Sequence, residues 1–184
     1  MIYRNVLAAV VRVLAADTMS DIKSQSWQTQ VTPGEVTRRG NGLSKAEMKI
    51  YDCWLHARLH SSLSEEQWGA LVGKFSTHLT QKIAALQLLT PLINSPAPSL
   101  FRERCVVTWG FPLVKGAAHG KRSTAVLPAA WYDMSNWDDE IRSERTRQRW
   151  AAGIRRDLEA RVNLALLRAQ DVFESEGLLS EEVA

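Results

Sequence analysis

The sequence predicts an all-α fold: a compact helical domain with a helix-turn-helix-like unit and a long basic C-terminal helix. Three observations carry this. Apolar residues recur at helical spacing in one segment after another. Capping-box patterns open two of those segments, and glycine and proline cluster mainly between them. With 45% hydrophobic and 23% charged residues, the 184-residue chain has enough apolar surface to form a core. Its length fits one domain spanning residues 1–184.

The first helix is expected from about Asn5 to Asp17, with Val6, Leu7, Val10, Val13 and Leu14 at helical spacing. Its apolar run Val6–Ala16 is broken by Arg12 and is far shorter than the ~20 residues needed to span a bilayer. It therefore reads as a core helix rather than a signal peptide or anchor, and no membrane association is expected. Residues 20–42 turn polar, with Pro33-Gly34 and Gly40-Asn41-Gly42 as turn signals, and form a loop or arm carrying Arg38 and Arg39.

Ser44 and Glu47 make a capping box for a helix reaching about His60. Met48, Tyr51, Trp54, Leu55 and Leu59 form its apolar face, and Lys45, Lys49, Asp52, His56 and His60 its polar one. Ser64 and Gln67 repeat the pattern for a short helix with Trp68, Leu71, Val72 and Phe75 buried, ending near Ser76. A third helix follows, with Ile83, Leu86, Leu89 and Ile93 on one face and Pro91 to kink or end it. Phe101 to Trp109 reads as a buried helix, although the β-branched run Val106-Val107-Thr108 fits a strand as well.

Gly110-Phe111-Pro112 stops that element, and residues 115–120 form a loop with two glycines. A new helix can begin at Ser123 or Thr124 and is kept short by Pro128. The last helix, within an arginine-rich region at 138–177, runs from about Ser143 to Glu176, with a possible break at Gly153 and a stop at Gly177. Asp138 and Asp139 are placed to help start it. Residues 178–184 form an acidic tail, and most of the seven tryptophans are expected in the core.

Charge is nearly balanced overall, Lys+Arg 23 against Asp+Glu 20, but unevenly spread. Between Arg142 and Arg168 stand eight arginines against Glu144, Asp157 and Glu159, whereas residues 171–184 hold five acids and no base. Arg142, Arg145, Arg149 and Arg156 recur on nearly one helical face with Arg155 beside them, a pattern suited to phosphate contacts or to a solvated, internally paired surface. Two cysteines are too few for a disulfide framework and imply a reducing compartment.

Cys53, His56 and His60, with Cys105 as a fourth donor, carry ligand types suited to zinc. They lack the paired short-spaced ligands of structural sites, so no metal is expected. Gly120-Lys121-Arg122-Ser123 is similar to the end of a phosphate-binding loop, but an arginine separates lysine from serine. No complete catalytic motif occurs, so neither an enzyme nor a cofactor is expected.

The segment 46–77, AEMKIYDCWLHARLHSSLSEEQWGALVGKFST, resembles the middle of small phage antitermination Q proteins, late-gene regulators with a sigma-factor-like helix-turn-helix. A helix with an Ala57-Arg58-Leu59 step leads through a polar turn to Leu71-Val72 and Phe75. The resemblance implies a DNA-binding phage or prophage transcription regulator in the cytoplasm of a bacterial host, with double-stranded DNA and bacterial RNA polymerase as partners. The match to a recognition helix is the stretch from Gly120 to Leu127, so that Lys121, Arg122, Ser123 and Thr124 would enter the major groove. Ser76 to Ile93, with the preceding helix, is the other candidate, poor in basic residues. A non-enzymatic inhibitor or adaptor that binds a host protein complex through exposed tryptophans and arginines is the alternative function.

Overall fold

The computed structural model describes residues 3, 5–21, 45–113, 127–140 and 142–178, and among them it is all α-helical, with short 3-10 turns and no strand. Six helices follow in order: α1 Val6–Asp21, α2 Lys45–Ser62, α3 Glu65–Phe75, α4 Leu79–Leu89, α5 Ser99–Gly110 and α6 Glu144–Ser175. Of the expected loop at 20–42, residues 20 and 21 belong to α1, and the remainder lies outside the described residues, as do Ser44 of the first capping box, the Ser123/Thr124 helix start and the acidic residues beyond Leu178.

α1 is capped by Asn5, whose side chain accepts from the Ala8 N–H at 2.8 Å, and it extends four residues past the expected end. Ala9, Val10, Val13 and Leu14 are buried, while Leu7 is exposed. On α2 the burial differs from the expected face. Leu55 and Leu59 point inward, with Leu63 just past the helix end also buried, Tyr51 and Trp54 are exposed, and Asp52 is buried. The inward line therefore includes a carboxylate, which is kept there by partners: Tyr3 Oη donates to Asp52 Oδ1 at 2.6 Å, and Arg12 Nε donates to Oδ2 at 2.9 Å.

α3 opens with both bonds of the capping box, the Gln67 N–H to Ser64 Oγ and the Ser64 N–H to Gln67 Oε1. Its buried residues Gly69 to Val72 and Gly73 face α4, α6, α1 and α5, which makes it the central helix. Three residues, Ser76-Thr77-His78, connect it to α4, the connection length of a helix-turn-helix. Leu86, Leu89 and Ile93 are buried as expected, but Ile83 is exposed. Pro91 turns the chain into a 3-10 turn at Thr90–Leu92, because proline lacks the N–H needed to continue an α-helix.

α5 resolves the helix-or-strand ambiguity of Phe101–Trp109 as a helix. A Cβ on Gly110 would stand 2.6 Å from Leu86 Cδ1 and 3.2 Å from the Gly73 carbonyl oxygen, so glycine lets α5 cross close to α3 and α4. α6 crosses the molecule against α3, α5, α1 and α2. Ser143 accepts from the Thr146 N–H at its start, and Gly153 leaves it unbroken. A Schellman motif ends it: Gly177 has φ +64, its N–H donates to the Glu174 carbonyl, and the Leu178 N–H donates to that of Phe173. Fully buried leucines such as Leu55, Leu71, Leu86 and Leu158 each contribute about 1.5–3 kcal/mol through removal from water.

The described tryptophans are less buried than expected. Only Trp109 and Trp137 are fully inside, Trp68, Trp131 and Trp150 are half-buried, and Trp54 is exposed.

Candidate nucleic-acid interface

The N-terminal half of α6 holds most of the arginine run, and the structure divides those residues by their partners. Arg147 is committed to folding: its Nη2 donates to Asp138 Oδ1 at 2.6 Å, and the Asp138 side chain is 1% exposed. Asp138 is thus less a helix start than an anchor fixing the entry to α6. Arg161 pairs with Glu66 and Asp157 and donates to the Leu92 carbonyl at 3.0 Å, tying α6 to α3 and to the 3-10 turn that follows α4. Arg168 pairs with Asp171 at 3.3 Å on the surface.

The five candidate phosphate-binding arginines separate in the same way. Arg142 precedes the helix cap, so it does not share the helical face; it pairs with Glu140 and lies over the Trp150 ring at 5.4 Å. Arg155 is turned toward buried Cys105, whose thiol burial pushes up to about 11 against the lowering effect of that guanidinium. Such a thiol is protonated at neutral pH and chemically quiet. Arg145, Arg149 and Arg156 remain. All three are exposed, and none has an acid partner among the described residues. Spacings of four and seven residues place them on one line of the helix, about 16 Å long at ~1.5 Å per residue.

Lys121, Arg122, Ser123 and Thr124 lie outside the described residues. The exposed positions Thr80, Ala84 and Gln87 of α4 carry no positive charge. Of the two segments, α4 and α6, the exposed arginines without an acid partner among the described residues lie on α6.

Comparison with protein-family models, curated proteins and solved structures finds no significant match. The chemistry rests on the residues themselves.

His56 and His60 stand edge-on to Trp68, at 5.0 and 5.1 Å between ring centroids, and Cys53 is exposed. Among the described residues no group of three His, Cys, Asp or Glu side chains is placed to hold a metal ion. A groove of about 660 Å³ lies between α4 and α5, lined by apolar residues including Leu79, Ile83, Val107 and Phe111, with Arg102 and Glu103 at its polar edge. No described helix is long and apolar enough to cross a membrane.

Sequence reasoning missed the Tyr3–Asp52–Arg12 cluster and the assignment of Asp138 to Arg147. Both join residues far apart along the chain or across a cap, where periodicity gives no signal.

Proposed function

We propose that this chain is a DNA-binding regulator held on duplex phosphates by Arg145, Arg149 and Arg156. The observation that carries the reading is exposure without an acid partner among the described residues: Arg147, Arg161 and Arg168 of α6 are paired with carboxylates, whereas these three line one exposed edge. Guanidinium groups donate in a fork that matches phosphate oxygens, and contacts of this kind position a protein without reading sequence. Sequence reading would fall to Lys121–Thr124, and action as a late-gene antiterminator would add RNA polymerase as partner; both follow from the Q-protein resemblance. A second reading, an adaptor for a host protein, is favoured by the exposed Ile50, Tyr51 and Trp54 on α2.

The test is binding to random duplex DNA over a salt series. Each lost phosphate contact lowers the slope of log affinity against log salt by about 0.9, so replacing all three arginines by alanine should flatten it by nearly three. Absence of binding at low salt would overturn the proposal, and an unaltered slope would assign the stripe to solvent.

A further inference from the structure

The outward face of α6 changes character along its length. Arg145, Arg149 and Arg156 make its first part basic, Asp171 and Glu174 make its last part acidic, and all five are exposed. Between them lie two leucines on the same side, Leu164 and Leu167, each 60% exposed. The opposite half of this middle stretch is small: Ala160 is exposed, and a Cβ placed on Gly153 would meet nothing within 4 Å.

This order is self-complementary when reversed. Arg149 and Asp171 each lie eleven residues from Ala160, Gly153 and Leu167 each lie seven, and Arg156 and Leu164 each lie four. We propose that this face joins a second copy of the chain, the two α6 helices running antiparallel about a twofold axis at Ala160. In that register Arg149 meets the partner copy's acidic end and Leu167 covers the bare surface at Gly153. The aliphatic stem of Arg156 lies along Leu164. Gly153, Ala160 and Leu167 recur every seven residues, the repeat that keeps a seam facing a partner helix.

An isologous interface places the same patch on both subunits, so opposite charges that pair across it stand at mirrored positions on one surface. That is the arrangement on α6. Parallel pairing would instead set arginine against arginine and carboxylate against carboxylate, which is repulsive. Asp171 already contacts Arg168 at 3.3 Å, and Glu174 accepts from Gln170 at 2.6 Å. The first is an exposed pair of the weakly held kind, and each carboxylate retains acceptor sites for a partner guanidinium. The inference goes beyond the DNA reading and draws on the same arginines, so duplex DNA and a second copy are alternative occupants.

Sedimentation of the full chain without DNA tests it. The wild type should pass from monomer to dimer as concentration rises, and Leu164→Glu with Leu167→Glu should stay monomeric while keeping its helical circular dichroism. Arg149→Asp and Asp171→Arg should each raise the dimer Kd about tenfold, since each change alters two symmetric contacts, and their combination should restore pairing. In a Cys53→Ser background, Ala160→Cys should form an intermolecular disulfide under mild oxidation. A wild type monomeric to about 100 μM, a salt-bridge swap that rescues nothing, or a dimer indifferent to the leucine changes would overturn the proposal. Failure of the wild type to bind duplex DNA at low salt and at concentrations below the dimer Kd, where its arginines are uncovered, would count against the DNA reading alone.

Discussion

Asp52 shows what a single buried carboxylate requires. It is 6% exposed and is held by the Tyr3 hydroxyl and by Arg12, whose side chain is itself half in solvent. Removing the Tyr3 hydroxyl with Tyr3→Phe should cost about 1.5–3 kcal/mol, the range for hydrogen bonds to charged groups, read as a lower denaturant midpoint. Burial first, then the Asp52 hydrogen bond, raises the Tyr3 phenol above its ordinary value of 10.0. A raised folded value means that this stabilisation is complete below pH about 10 and declines as the pH climbs above it. Wild type should therefore lose stability in that alkaline window more steeply than Tyr3→Phe, and parallel pH profiles would contradict the assignment. Glu159 has the opposite sign. Burial pushes its carboxyl up, but hydrogen bonds from Lys74 and Trp109 outweigh this and hold it below 4.5, so its contribution is present above that pH and fades on acidification.

At the scale of elements, the sequence announces its helix ends more clearly than its helix faces. Ser64 with Gln67, Pro91 and Gly177 act locally, and each signal appears in the structure as the expected cap, turn or stop. The burial of α2 was harder to read, because Tyr51 and Trp54 look like core residues until Arg12 and Tyr3, distant in sequence, bring Asp52 inside. The arginine stripe was legible as spacing, but its separation into paired and free members depends on acids contributed by other segments, such as Glu66. The glycines give a test of two local environments within helices. Gly110→Ala should destabilise the protein by about 1–3 kcal/mol, because its Cβ would overlap buried Leu86 and approach the Gly73 carbonyl. Gly153→Ala meets open space and should stabilise dilute protein by about 0.4–1 kcal/mol through reduced backbone freedom. Thermal unfolding of the two variants should move in opposite directions, and a shared direction would show that helix propensity or packing alone governs both sites.

For the whole molecule, the separation of charge along α6 matters more than the net charge of +3. A helix of 32 residues spans about 48 Å at ~1.5 Å per residue, several Debye lengths at physiological salt, so its basic and acidic ends act as separate surfaces. In the proposed reading the basic end attracts duplex phosphates and the acidic end repels them, which would direct a duplex to the first part of the helix. If a second copy competes for that part, DNA affinity must depend on protein concentration: dimer formation removes competent monomer and reduces apparent affinity by the competent fraction. Binding curves on trace duplex should then be broader than a simple hyperbola for the wild type, flattening as protein rises past the dimer Kd. The Leu164→Glu, Leu167→Glu variant adds negative charge near the arginines and should bind somewhat more weakly at the outset, yet follow a hyperbola throughout. Curves of one shape for both proteins, with dimerisation independently established, would mean that the paired state leaves its arginines open to DNA and that the two occupants do not exclude each other.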